Sequence, residues 1–412
     1  MDDQRKPGNM YGVALHPYVE SSGVEPNPLL PLLYKEMPAP NGEIKPVKAL
    51  SLNIPPSNTC EVSLIDTTCD ITLPIISLIG PTIKGHESLN LPTYAFYIQN
   101  PRLNKRVLFD LGARKDWWSL PPSVLNAITT KGVSGLRITH DVAEILRSGG
   151  VELDTIDAVV WSHFHWDHVG NIQLFPKSVD VVVGSPFKES FLPGYPTGKE
   201  SPFFEADFEG RNIREIEFDD SLRIGRFRAH DFFGDGSFYL LDVPGHAPGH
   251  ISGLVRTTPD TFIFLGGDVC HYPGAYRPSA YIPMPEVIPA ETKLDERLPL
   301  PCPCSLFTAC HPGAGPGALA HDALLPRLDA PGVVQSVDKL VEFDGDENVF
   351  VAIGHDPTLR DVCDLFPHGT LNDWKRRGRK GATHWGFVNE LPIDGKPGRP
   401  ALVEGLLKPF NP

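Results

Sequence analysis

Ser162-His163-Phe164-His165-Trp166-Asp167-His168 is the stretch on which the reading of this chain turns. It ends the apolar run IDAVVW (156–161), which reads as a buried strand. A strand running into a tight loop points alternate residues to one side, so His163 and His165 share a face while Asp167 and His168 turn to a second position. Imidazole and carboxylate are the usual ligands of zinc and related ions, and a carboxylate can also orient a bound water. A polar surface loop has no need of three His and an Asp within six residues, in a protein with only 15 His.

The pattern recurs down the chain. FYLLDVPGH ends on His246, TFIFLGGD on Asp268, and NVFVAIGHD carries His355. Each run is apolar until a terminal Gly, His or Asp, as expected of a buried sheet that presents ligands along one rim. VDVVVGS (179–185), CEVSLIDT from Cys60, PTYAFYIQ from Pro92 and RVLFDLG from Arg106 read as further strands, with Asn104-Lys105 near a turn. Helices are expected over Ser123–Thr129 and Thr139–Ser148, the second with Thr139 as N-cap and Gly149-Gly150 as its stop.

Composition bounds the rest. The chain has 412 residues, 41% hydrophobic and 21% charged, which suits a globular protein. Its net charge of −14 should repel phosphate backbones, so no nucleic-acid partner is expected. No apolar stretch suggests a signal peptide or a membrane span, which makes a cytoplasmic location and no membrane partner the default expectation. With 43 Pro and 38 Gly, long irregular connections are expected. Residues 1–55 read as a Pro-rich arm, a candidate homodimer contact, and 56–412 as one domain. Within it, 271–345 reads as a covering insertion whose Tyr281, Ile282, Met284, Val287 and Ile288 suit a hydrophobic substrate.

The order HxHxDH, His, Asp, His over roughly residues 70 to 365 resembles the metallo-β-lactamase superfamily. LFDLG (108–112) is similar to that family's early strand motif, with Asp110 supporting the site. GGDVCHYPGAYRPS and LNDWKRRGRKGATHWGFVNELP resemble a fungal branch of such proteins, close to lactonase- and lactamase-like hydrolases and N-acyl homoserine lactonases. The resemblance implies an α/β fold, an αβ/βα sandwich of two mixed sheets with outer helices. It implies two divalent ions, Zn²⁺ by preference with Mn, Fe or Co as alternatives. His163, His165 and His246 would hold the first, Asp167, His168 and His355 the second, and Asp268 would bridge them; His250 would stand behind the ligands as a hydrogen-bonding residue. Two ions about 3.5–4 Å apart share a hydroxide and lower its pKa towards neutrality.

The activity so implied is the opening of a cyclic ester or amide by that hydroxide, on a small hydrophobic lactone or lactam. A thioesterase acting on an acyl or glutathione thioester is the first alternative, and a mononuclear-iron sulfur dioxygenase the second. Asp167 is the candidate proton carrier. In lactonases of this superfamily a Tyr follows the bridging Asp; here His271 takes its slot and Tyr272 comes one place later. Tyr272 is the preferred donor to the substrate carbonyl, with His271 the alternative. Phe164 and Trp166, then Trp117, Trp118, Phe232 and Phe233, are candidate pocket aromatics. Cys302, Cys304, Cys310 and His311 match no common zinc spacing and read as buried thiols. Lys375–Lys380 reads as a solvated basic turn.

Overall fold

The computed structural model describes residues 47–48, 52, 54–80, 82–130, 132–308, 310, 331–393 and 396–408. The arm expected over 1–55, with its dimer contact, lies almost wholly outside the described residues, as do 311–330 of the insertion and His311.

The strands are β1 (Glu61–Pro74), β2 (Ser88–Asn100), β3 (Lys105–Phe109), β4 (Gly135–Ile138), β5 (Ala158–Val160), β6 (Asp180–Gly184) and β7 (Ile213–Ile216). They are followed by β8 (Arg223–Ile224), β9 (Phe227–Asp231), β10 (Phe238–Asp242), β11 (Ile251–Thr258), β12 (Thr261–Leu265), β13 (Val349–Ala352) and β14 (Gly405–Leu406). One sheet has the order β14-β4-β1-β2-β3-β5-β6-β7, the other β13-β12-β11-β10-β9-β8. Both are mixed. β3, β5, β6 and β7 pair in parallel, as do β12 and β13, while β1/β2 and β10/β11 are antiparallel. The parallel strands are apolar throughout (AVV and VVV within β5 and β6) because they are covered on both faces.

Alternate residues fill two separate cores. Leu64, Phe96, Phe109 and Val160 of the first sheet meet Phe238, Leu240, Val255 and Leu265 of the second. The outer face of the second sheet, with Leu254, Phe264 and Val351, takes Val333, Val337, Leu340 and Phe343 of the helix Pro331–Gly345. The 271–345 segment is therefore not wholly an irregular cover. Its last fifteen residues are the helix that completes the crossover between parallel β12 and β13.

Two local expectations shift. β1 runs past CEVSLIDT to Pro74 because a bulge between Asp66 and Asp70, with Thr68 at φ 57°, absorbs the break in alternation. The helix expected from Thr139 starts at Val142. Asp141, not Thr139, is its N-cap, in a capping box with Glu144. The other helix spans Pro122–Thr130.

Arg277, at the start of the insertion, makes a two-pronged ion pair with Asp344 near the end of the Pro331–Gly345 helix, at 2.7 and 2.9 Å. Both side chains are buried. Asp344→Ala strands the guanidinium in the core and is expected to cost about 3–5 kcal/mol, read as a lowered urea midpoint; an unchanged midpoint would show that water reaches the pair.

Candidate metal centre

The ends of five strands meet along one rim. Asp110 follows β3, Ser162 and His163 follow β5, His246 follows β10, Asp268 follows β12 and His355 follows β13. Two of the turns demand glycine. A Cβ on Gly245 (φ 131°) would lie 2.3 Å from the Val333 nitrogen, where the Pro331–Gly345 helix abuts the His246 loop. One on Gly267 (φ 51°) would lie 2.8 Å from the Ser162 Cβ.

These turns gather seven side chains into two groups: His163, His165, His246 and Asp268; and Asp167, His168 and His355. In the first, His246 Nε2 lies 3.2 Å from His163 Nε2 and 2.9 Å from His165 Nδ1, and those two nitrogens are 2.8 Å apart. In the second, His168 Nε2 lies 3.3 Å from His355 Nε2, and Asp167 Oδ2 lies 3.8 and 3.6 Å from the two. Asp268 divides its carboxylate between them. Oδ2 faces His163 and His246 at 3.6 and 3.4 Å, and Oδ1 faces His168 and His355 at 3.1 and 3.2 Å. Ligand atoms around a tetrahedral zinc with bonds near 2.0–2.1 Å stand about 3.3 Å apart, so this spacing suits one ion per group.

The hydrogen bonds behind the rings test that fit. Three imidazoles are held from their far side: His168 Nδ1 by Asp110 Oδ2 (2.9 Å), His355 Nδ1 by the Pro92 carbonyl (3.2 Å) and His163 Nδ1 by Ser162 Oγ (3.0 Å). A carbonyl or carboxylate only accepts, so each such ring carries a proton on Nδ1 and presents Nε2 to its ligand group. Asp268 Oδ1, buried, receives no hydrogen bond. Lone pairs and a carboxylate aimed at common points are an arrangement a cation stabilises, and the donor set fits divalent ions.

The electrostatics agree. Burial holds His163 and His246 well below the ordinary histidine value. His168 goes the other way: burial opposes its charge, but the carboxylates of Asp268, Asp110 and Asp167 outweigh it and raise its pKa well above the usual range. Burial likewise opposes the charge on Asp268, yet the rings of His168, His355 and His271 hold it well below the usual carboxylate value.

Around this core the other candidates sort themselves. His250 lies outside both groups: its Nδ1 donates to the Val243 carbonyl, and its Nε2 accepts the Asp268 backbone N–H, each at 3.0 Å. Burial lowers its pKa to about 4, which keeps Nε2 an acceptor. His271 Nε2 stands 3.1 Å from Asp268 Oδ2, its ring stacked on His355. Tyr272, the preferred carbonyl donor from sequence, instead donates its hydroxyl to the Phe387 carbonyl at 2.8 Å. The backbone turn that points His271 towards Asp268 points the next side chain, Tyr272, away from the two ligand groups.

Phe164 is buried and stacks on Phe191, whereas Trp166 is half-buried. Trp117 donates its indole N–H to the Leu407 carbonyl, Trp118 lies under Lys408, and Phe232 and Phe233 pack around Phe238. Cys302 and Cys304 are buried thiols, Cys310 donates its thiol to the Leu306 and Pro392 carbonyls, and none joins a metal-binding group among the described residues. The basic turn is largely engaged. Arg376 and Arg377 pair with Asp373, Arg379 with Asp364, and Lys380, half-buried, donates to the carbonyls of Asp344, Asp346 and Val349. Sequence reasoning gave no separate role to Ser162 or to the Pro92 carbonyl. A hydroxyl beside a ligand and a backbone acceptor carry no pattern of their own.

Comparison with known proteins agrees with this geometry. Residues 90–278 match the metallo-β-lactamase superfamily. The chain is 41% identical over 379 residues to gamma-lactamase FDB1 of Fusarium pseudograminearum, covering 86% of this chain and 91% of that one. It is 39% identical to metallo-hydrolase mfmC of Annulohypoxylon moriforme, covering 83% and 90%. A solved structure from work on indirect contributions of mutations to a new enzyme function shares the fold, at 18% identity and a TM-score of 0.50 over 76% of this chain and 98% of that one.

Two outcomes follow from the site. Ion uptake is expected to displace the proton that the carboxylates of Asp268, Asp110 and Asp167 favour on His168. Affinity therefore weakens as pH falls, and zinc calorimetry in buffers of different ionisation enthalpy reads the released proton; a buffer-independent heat would contradict it. Tyr272→Phe is expected to cost about 1 kcal/mol in urea unfolding and leave metal content unchanged. A loss of bound metal would instead place the hydroxyl at the centre.

Proposed function

The chain belongs to the metallo-β-lactamase superfamily as a metal-dependent hydrolase of lactonase or lactamase type, and from that premise we propose that it opens a small lactam or lactone with two divalent ions, zinc by preference. The observation that carries the reading is the Asp268 carboxylate divided between two ligand groups, one oxygen to each. When bound, such ions acidify a water and polarise the carbonyl it attacks.

The chain's own residues do the rest. The far-side bonds to His163, His168 and His355 hold the rings in one tautomer and one orientation, so the site needs no rearrangement as charge develops. Asp167, less deeply buried than Asp268, is placed to orient the water and to carry a proton to the leaving nitrogen or oxygen. His271 takes the role first given to Tyr272, a donor beside the substrate carbonyl, because it is the ring that faces Asp268. The likeness to gamma-lactamase FDB1 favours a five-membered amide or ester among cyclic substrates.

Two ligand groups favour this reading over a single-iron dioxygenase. The basic turn that a thioester's phosphate would seek already serves Asp364, Asp373 and backbone carbonyls. No described helix is long and apolar enough to cross a membrane.

Metal content per chain, with γ-lactam, γ-lactone and thioester turnover before and after chelation, tests the proposal. About two ions are expected, with ring opening lost on chelation and restored by zinc. One iron with oxygen uptake, or turnover that survives complete metal removal, would sink it.

A further inference from the structure

We propose that a cavity on the same rim as the metal centre, but separate from its ligands, binds a neutral aromatic amide through Arg114. The cavity measures about 450 Å³. Its walls come from connections that leave three neighbouring parallel strands at their rim ends: Arg114 after β3, Gln173 after β5, and Tyr195 and Phe204 after β6. Two backbone bonds tie the Arg114 connection to the loop that carries the ligands. The Leu111 N–H donates to the His168 carbonyl at 2.7 Å, and the Gly170 N–H to the Gly112 carbonyl at 2.8 Å. None of the seven candidate ligands is among the lining residues.

Arg114 is the polar anchor. Its side chain lines the cavity although the residue is only 9% exposed. Nε and Nη2 are engaged by the Asp116 carboxylate at 2.7 and 2.9 Å, and the guanidinium carbon stands 5.4 Å from the centre of the Phe204 ring. Nη1, with two N–H groups, makes no hydrogen bond to a described residue. A buried donor without an acceptor is costly, and a guanidinium does not shed its proton to escape that cost. The group therefore calls for an acceptor from outside the chain.

The surroundings select a neutral one. Asp116 already answers the guanidinium charge: burial opposes its ionisation, but the bond and charge of Arg114 hold its pKa below the ordinary value. The other charged lining residues, Glu205 and Glu209, are exposed carboxylates, so an anion would enter a negative field. A carbonyl oxygen accepts from Nη1 without bringing charge. Gln173 donates Nε2 to buried Asp207 at 2.8 Å, which leaves its own side-chain oxygen to accept an N–H of the same ligand. The Tyr195 and Phe204 rings, edge to face with centres 6.3 Å apart, offer an apolar wall to a flat ring. That wall is preformed, since the Tyr195 N–H donates to the Phe203 carbonyl at 2.7 Å and the Glu205 N–H to the Tyr195 carbonyl at 3.0 Å.

Benzamide, benzoate and benzamidine share one shape and differ in charge, and ligand-observed NMR titration of each against the chain, as purified and after chelation, tests the site. Benzamide is expected to bind with a Kd on the order of 1 mM, as suits so small a ligand, and the two ions at least about tenfold more weakly. Arg114→Lys keeps the charge but removes the Nη1 donor, and should weaken benzamide about 10–100-fold. Glu205→Gln with Glu209→Gln should tighten benzoate about 3–10-fold and leave benzamide unchanged. Circular dichroism checks each fold. If Arg114→Lys does not fold, Phe204→Leu, which removes the ring and keeps the ion pair, takes its place with a loss of about fivefold. No benzamide binding at about ten times the expected Kd, tighter binding of benzoate or benzamidine, or affinity indifferent to these cavity variants overturns the site. Benzamide binding that disappears on chelation places the ligand on the ions and also overturns it, while the hydrolase reading stands.

Discussion

Seven candidate ligand side chains in this protein converge on two small volumes, and the rest of the rim is arranged to keep them there. Buried carboxylates and unprotonated nitrogens repel one another, and burying them is costly unless a cation or proton answers. In the metal-free chain His168 draws a proton, raised well above its ordinary range by Asp268, Asp110 and Asp167 against the cost of its burial. A divalent ion answers the same field more completely, since it engages several donors at once. The convergence is thus an interaction in waiting, and its persistence depends on the packing beneath it.

That packing is the parallel core of both sheets. β3 and β5 pair in register, Phe109 opposite Val160, which brings Asp110 beside Ser162. β12 and β13 pair in the same way, Leu265 opposite Ala352, which sets Asp268 and His355 side by side. A parallel pair ends at the same level, so two parallel pairs facing each other across one core deliver four chain ends to a single rim. His246 arrives separately from β10, and its loop is propped by the Pro331–Gly345 helix: Ser336 donates to the Pro244 carbonyl at 2.7 Å beside the Gly245–Val333 contact.

The convergence of the candidate ligands was legible because its chemistry is written in residue types that are rare and clustered, each at the end of an apolar run. The fold was legible for the same reason, since AVV and VVV cannot lie anywhere but between two covered faces. The Pro331–Gly345 helix was not. Its core stripe of Val333, Val337, Leu340 and Phe343 is interrupted by Asp338, Glu342 and Asp344, and it follows a long Pro-rich stretch that masks its start. Asp344 belongs to that helix as the buried partner of Arg277, sixty-seven residues earlier, and no local pattern links the two. The N-cap at Asp141 was missed because Thr139 is as good a cap by type; only the capping box with Glu144 decides between them.

The contrast between His271 and Tyr272 shows that the residue types in a stretch do not give the direction of its side chains. Both side chains suit a carbonyl donor, and nothing in DVCHYPG says which one faces the ligand groups. The decision is made far away, at Phe387, whose carbonyl accepts the Tyr272 hydroxyl, and by the His355 ring that stacks on His271. Burial raises the Tyr272 pKa well above its ordinary value, so the phenol keeps the proton it donates. Anchored in this way, Tyr272 acts as a pin for the segment after Asp268, and the ring one residue earlier is held where its Nε2 meets the carboxylate both ligand groups share.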